Sequence, residues 1–278
     1  MDAFAHCEAL LREGDRDLWL ATLFAPADKR RDLHALHAFA LEVARVPERV
    51  SEPMPGEIRL QWWRDALDGG EGAAHPVAAA LLDTIARFRL PREALLALID
   101  ARAFELYDDP IPTVSDLEGW CGETASAPIR LATLILADGA DPGGADAAGH
   151  AGVALGIAGL LRAFPWHARR GRVFVPADVL ARHGIARSEI AAGTAGPGLD
   201  AALGDLRTLA REHLRRAQDL IGTVAPPARP AFLPLALVEP ALARMERRDY
   251  RPFETAVDLP PWRKPWLLWR SARKMARR

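Results

Sequence analysis

The sequence predicts an almost wholly α-helical fold, and three observations predict it. Ala, Leu and Arg, all strong helix formers, dominate the chain, while β-branched runs are scarce. Apolar residues recur at helical spacing in nearly every segment between Gly/Pro breaks. Finally, 278 residues of which 50% are hydrophobic suffice for a sizeable core in one large helical domain, and no linker divides the chain in two.

The elements follow in order. Asp15 precedes an apolar run and reads as the cap of a helix over residues 15–24. Residues 27–46 form a second helix, and residues 57–67 a third after the break at Pro53 to Gly56. Past the break at Gly69 to Gly72, Pro76 and Pro91 stand at first-turn positions of helices 76–88 and 91–107. Thr113 with Asp116 three residues on is near a capping box, opening a helix over 114–136 after the break at Asp108 to Pro112. A break at Gly139 to Gly144 precedes a helix over 145–162. Its Ala/Gly-rich stretch reads as low complexity or as a helix packed tightly inside a bundle. After Gly193 to Gly198 come helices over 199–221 and 231–247, and no repeat of the solenoid kind appears.

Composition excludes several classes of function. Lys+Arg 36 against Asp+Glu 37 gives a net charge of −1, which argues against a protein that holds nucleic acid by neutralising phosphates. Cys7 and Cys121 fit neither a CxxC metal site nor a disulfide framework and read as packing residues in a reducing compartment. The first 17 residues carry five acidic ones and no long apolar region, so no signal peptide is expected. The apolar run 151–161 is too short to span a bilayer. A cytoplasmic protein, at most peripheral to the inner membrane, is the expectation.

Four ordered motifs resemble the squalene/phytoene synthase family. They are Phe24-Ala25-Pro26-Ala27-Asp28-Lys29-Arg30-Arg31 with the segment through Phe39, then Arg59-Leu60-Gln61-Trp62-Trp63-Arg64, then Trp120-Cys121-Gly122-Glu123-Thr124-Ala125, and finally residues 160–176 from Leu160-Leu161-Arg162 to Val175-Pro176. The resemblance covers roughly residues 15–220. It implies a single-domain isoprenoid-synthase-type helical bundle around a central cavity, here over 1–259, with 260–278 as a basic, Trp-rich tail.

Enzymes of that family ionise an allylic diphosphate with magnesium held by aspartates of two facing helices. At the positions matching those aspartates this chain has Ala44, Glu48, Ala163 and His167. An alanine methyl cannot ligate a metal, and imidazole is a poor magnesium ligand. Pro47 is expected to disturb the helical spacing, Arg45 to place a positive charge where cations would sit, and Leu41 to remove a polar group from the cavity. The resemblance therefore implies no catalytic residue, no metal and no cofactor, with magnesium only if an enzyme with altered ligands survives. Carboxylates facing each other across the cavity would favour that enzyme, and a filled cavity would count against any ligand.

Other polar and aromatic residues keep two readings. Arg162, Arg169, Arg170 and Arg172 are candidates for gripping a diphosphate or anionic headgroup, or belong to a solvated basic loop. Glu42 and Glu48 read first as salt-bridged surface or cavity-rim groups. His34, His37, His150, His167 and His213 show no metal-ligand spacing. Of Trp62 and Trp63, one is expected in the core and the other against a neighbouring helix or the cavity mouth.

The tail from Pro260 has basic residues and no acidic one. Trp262, Trp266 and Trp269 recur at i, i+4, i+7, so a helix puts them on one face, with Arg270, Arg273, Lys274 and Arg277 available to an anionic surface. They mark an interfacial helix or partner contact, or a last helix that docks its tryptophans on the bundle and leaves its charges in water.

The run Ala38-Phe39-Ala40-Leu41-Glu42-Val43-Ala44-Arg45-Val46, followed by Val50-Ser51-Glu52, is most similar to the non-enzymatic branch of the family that assists assembly of mitochondrial respiratory complex I, and to its bacterial relatives. The resemblance implies a partner among complex I subunits or assembly intermediates. With no transit peptide, a bacterial setting is expected. Two alternatives stand beside it: a farnesyl or geranylgeranyl diphosphate transferase with altered ligands, and a carrier holding an isoprenoid or quinone in the old tunnel.

Overall fold

Capping residues and prolines set the helix boundaries in the computed structural model, which describes residues 2–70, 74–194 and 196–277. Gly72, at one end of a predicted break, and Arg278, at the end of the tail, lie outside them. All regular elements among the described residues are helical. The first, α1 (Ala3–Gly14), was not expected. Asp15 caps α2 (Arg16–Thr22) by accepting from Leu18 N at 2.9 Å, as its position predicts. α3 runs Arg30–Arg49, and α4 (Pro53–Leu67) starts inside the predicted break. Pro53 and Pro55 fall in its first turn, where a missing N–H costs nothing.

α5 (Pro76–Phe88) matches its prediction, and α6 (Arg92–Ala103) tightens into a 3₁₀ turn at Phe104–Leu106. The Thr113/Asp116 capping box opens α7 (Val114–Cys121). A π-helical segment, Gly122–Ser126, joins it to α8 (Ala127–Leu136). α9 (Ala145–Arg169) extends well past the predicted end, and short α10 (Ala177–Arg182) and α11 (Arg187–Ala191) precede α12 (Gly198–Leu220). The predicted helix over 231–247 is instead a 3₁₀ run, Pro226–Leu237, followed by α13 (Val238–Arg244). Prolines 226, 227, 230 and 234 withdraw the donors that an α ladder needs, which explains the change. α14 (Arg263–Met275) is the last element.

The Ala/Gly-rich stretch is a packed helix. α9 lies along α12 and crosses the π segment, where Gly152 and Gly156 permit close approach. A Cβ on Gly156 would fall 2.6 Å from Cys121 Sγ. Both cysteines are free and buried, and burial pushes each thiol up to about 12, consistent with packing roles. By length and composition α9 is long and apolar enough to cross a membrane, although the run read from sequence was too short; 56% of its apolar window is buried within the bundle. Trp63 is 1% exposed and meets Phe39 edge-on at 5.2 Å, while Trp62 packs on Trp63 and His75. Neither tryptophan lines the cavity described below.

Candidate functional site

A cavity of about 400 Å³ opens among α2, α3, α6, the π segment, α9 and the 3₁₀ run before α13. That volume falls in the range of small-molecule pockets, roughly 300–1,000 Å³. Leu18, Ala40, Ile129, Leu155, Leu160, Phe174, Leu237 and Val238 make most of the wall apolar. The polar lining comprises Asp15, Asp17, His37, Glu48, Arg102, Glu105, Trp120, Thr124, Arg162 and His167.

α3 presents His37, Ala40, Ala44 and Glu48 to the cavity, residues three and four apart on one face. Pro47 does not break this face. It lies inside α3, which continues to Arg49 and keeps Ala44 and Glu48 in register. Two further expectations are corrected. Leu41 and Arg45 turn toward α1, where a Cβ on Gly14 would collide with both side chains, and neither lines the cavity. The charge of Arg45 still reaches Glu48, whose carboxyl is raised by desolvation first and by Glu105 second, with Arg170, Arg45 and Arg102 opposing. From α9, His167 lines the cavity but Ala163 does not; it is half-buried, and a methyl adds no reach beyond the backbone.

The family's magnesium chemistry needs a cluster of hard oxygen donors, and the residues at these four positions do not supply one. Glu48 is their sole carboxylate. His167 is held neutral, its pKa lowered to about 4 by burial and then by Arg172, Arg170 and Arg102. The other carboxylates at the cavity are Asp15, Asp17 and Glu105. Glu105 is bonded to Arg102 at 2.6 Å, and Asp17 is paired with Lys264 at 2.7 Å. No grouping of three or more metal-ligating side chains occurs among the described residues.

The four candidate arginines do not converge. Arg172 donates to Pro47 O at 2.7 Å and Arg170 to Glu48 O at 2.9 Å, so both cap the free carbonyls at the end of α3. Arg170 also stacks on Trp166 at 4.0 Å. Arg162 donates to Val257 O at 3.2 Å and pairs with Asp17 and Asp258, each at 3.4 Å. Arg169 is exposed. Arg172→Ala should therefore lower stability by about 2 kcal/mol, read from urea midpoints, whereas Arg169→Ala should stay within about 0.5 kcal/mol.

Glu42 is buried and salt-bridged to Arg49 at 3.5 Å and Arg59 at 3.9 Å, outside the cavity lining. Sequence reasoning missed Arg102, Glu105, Asp17 and Trp120 as cavity residues. The Arg102/Glu105 pair, three apart in an otherwise apolar helix end, was the available signal. Arg102 Nε and Trp120 Nε1 are buried without a hydrogen-bond partner, and the Arg102 guanidinium lies 5.1 Å above the Trp120 ring.

The chain belongs to the squalene/phytoene synthase family, whose sequence model matches residues 11–270. It is 33% identical, over 92% of its length and 78% of the relative's, to NADH dehydrogenase (ubiquinone) complex I, assembly factor 6, from Rattus norvegicus. It is also 30% identical to presqualene diphosphate synthase of Zymomonas mobilis over 70% of this chain and 68% of that one. Among solved structures, a dehydrosqualene synthase in complex with ligand superimposes with a TM-score of 0.83 at 18% identity, covering 99% of this chain and 96% of the other. That likeness establishes the isoprenoid-synthase-type helical fold.

Proposed function

We propose that this chain is a non-catalytic member of its family that assists assembly of respiratory complex I by binding a subunit or assembly intermediate. One observation carries the reading: at the four positions matching the family's aspartates stand Ala44, Glu48, Ala163 and His167, of which only Glu48 is a carboxylate, and of the other carboxylates at the cavity Glu105 is bonded to Arg102 and Asp17 to Lys264. The similarity to complex I assembly factor 6 supports the same role. An assembly factor needs an outward contact surface, and Met54 (70% exposed) and Ile58 (65%) form an apolar pair one turn apart on α4. Purified protein incubated with radiolabelled farnesyl and geranylgeranyl diphosphates and magnesium is expected to release no diphosphate and form no hydrocarbon. Magnesium-dependent turnover would refute the reading and direct attention to Glu48, Glu105 and the Asp15/Asp17 pair.

A second reading has its own support. The cavity is open and mainly apolar, and the unpartnered donors Arg102 Nε and Trp120 Nε1 suit an acceptor oxygen on a lipid held without chemistry. A carrier of an isoprenoid or quinone would co-purify with that lipid, and Trp120→Phe, which deletes one donor, would reduce the amount recovered. Organic extracts free of any prenyl lipid would remove this reading.

A further inference from the structure

The tail helix docks on the bundle, but by the face opposite its tryptophans. Leu268 is fully buried, in a small core with Ala21, Leu233, Leu237 and Leu259. Lys264, 8% exposed, reaches Asp17 at 2.7 Å and Asp258 at 2.6 Å. At the other end the buried Arg229 donates to Met275 O at 3.2 Å. Pinned at both ends and along one side, α14 has a fixed rotation. At about 100° per residue, Trp262, Trp266 and Trp269 share an arc of about 60° that faces away from Lys264 and Leu268. They are 76%, 49% and 47% exposed. The expected alternative, a last helix with its tryptophans against the bundle and its charges in water, is corrected in one respect: the helix docks and Arg270, Arg273 and Lys274 are in solvent, but the tryptophans face outward with them.

That outward face has a definite chemistry. Arg273 stacks on Trp269 at 4.8 Å and Arg270 on Trp266 at 5.5 Å. Arg263, Arg270, Arg273 and Lys274 are exposed, and none makes an ion pair among the described residues, although some exposed basic side chains elsewhere do, as Arg215 does with Asp219 and Arg216 with Glu212. No acidic residue follows Asp258, in a chain whose net charge is −1. Indole rings prefer the headgroup level of a bilayer, and unpaired basic side chains are drawn to anionic lipids.

We propose that the Trp262/Trp266/Trp269 face of α14 is a docking surface for an anionic bilayer. The helix lies in the interface plane, the indoles enter at headgroup depth, and Arg270 and Arg273 meet lipid phosphates. The buried Lys264, Leu268 and Arg229 contacts make α14 a rigid foot that sets how the bundle stands on the surface. This mode of attachment stands whether or not the cavity is catalytic.

Full-length protein is mixed at low salt with vesicles of phosphatidylcholine alone or of equal parts phosphatidylcholine and phosphatidylglycerol, and binding is read by co-sedimentation and tryptophan emission. Binding to the anionic vesicles is expected, weaker by about tenfold or more on neutral ones and falling with salt. Trp266→Ser/Trp269→Ser and Arg270→Glu/Arg273→Glu, which leave the buried Lys264, Leu268 and Arg229 contacts in place, should each weaken it by about tenfold or more while the protein stays folded by thermal melt. The proposal is overturned if the folded wild-type protein does not bind anionic vesicles, or if both double variants bind as it does. It is equally overturned if the face proves to be covered by a second copy, with wild type dimeric in solution and Trp266→Ser/Trp269→Ser monomeric.

Discussion

Gly152→Ala is expected to lower the stability of the bundle by about 3 kcal/mol, a cost typical of severe overpacking. A Cβ at this position would land on the backbone N, the Cα and the Oγ of Ser126, all closer than 3.0 Å. Flexible side-chain ends can move aside, but backbone in a π turn cannot. Ser126 is also tied to α9, donating from Oγ to Gly149 O at 2.9 Å. Gly149 supplies the control, because nothing lies within 4 Å of its added Cβ. Gly149→Ala should stabilise by up to about 1 kcal/mol through helix propensity alone. Chemical unfolding of the two variants measures both signs, and equal effects would contradict the packing described for α9.

Acidification should destabilise the protein steeply between pH 6.5 and 4.5, before the bulk of the carboxylates titrate. His37 is buried, and desolvation, aided by His34, lowers its pKa to about 3. His167 is lowered to about 4. A histidine with a depressed folded pKa takes up its proton in the unfolded chain first, so folding loses stability as pH falls below the unfolded value near 6.5. By pH 4.5 the His37 contribution alone comes to about 3 kcal/mol. That is a large share of a stability of order 5–15 kcal/mol. Asp15 and Glu48 act oppositely, because their raised pKa values favour protonation of the folded chain on the acid side. His37→Gln should flatten the limb between pH 6.5 and 4.5 by about 3 kcal/mol, measured by urea unfolding at each pH. An unchanged limb would show that His37 is not the group responsible.

Much of the fold was legible because its punctuation is local. The Thr113/Asp116 box and Pro76 each act within one turn of where they stand, and those helices begin where expected. Pro47 misled for the same reason. Read locally it suggests a disturbed helix, yet it sits near the end of one that continues, and the last carbonyls of α3 are capped by Arg170 and Arg172 from beyond α9. The π segment left no local mark, since it arises where α7 and α8 must accommodate the close crossing of α9.

The candidate site was half legible. The spacing that puts Ala44 and Glu48 on one face is a property of α3, and it held. Pairing Arg102 with Glu105, splitting the arginines among separate partners and burying Glu42 with Arg49 and Arg59 all depend on tertiary contacts. The tail shows the limit most directly. Its period fixed which residues share a stripe, but the rotation of the stripe is set by Lys264 meeting Asp17, far away in sequence.

The central claim is that this chain serves complex I assembly and not prenyl synthesis. Its most direct test deletes the gene in the organism that carries it and measures assembled NADH:quinone oxidoreductase by native gel and membrane NADH oxidation. The account predicts loss of assembled complex, restored by the wild-type chain and equally by Glu48→Gln, since no carboxylate chemistry is required at that position. Normal complex I in the deletion strain, or rescue that fails with Glu48→Gln while the variant remains folded, would contradict it.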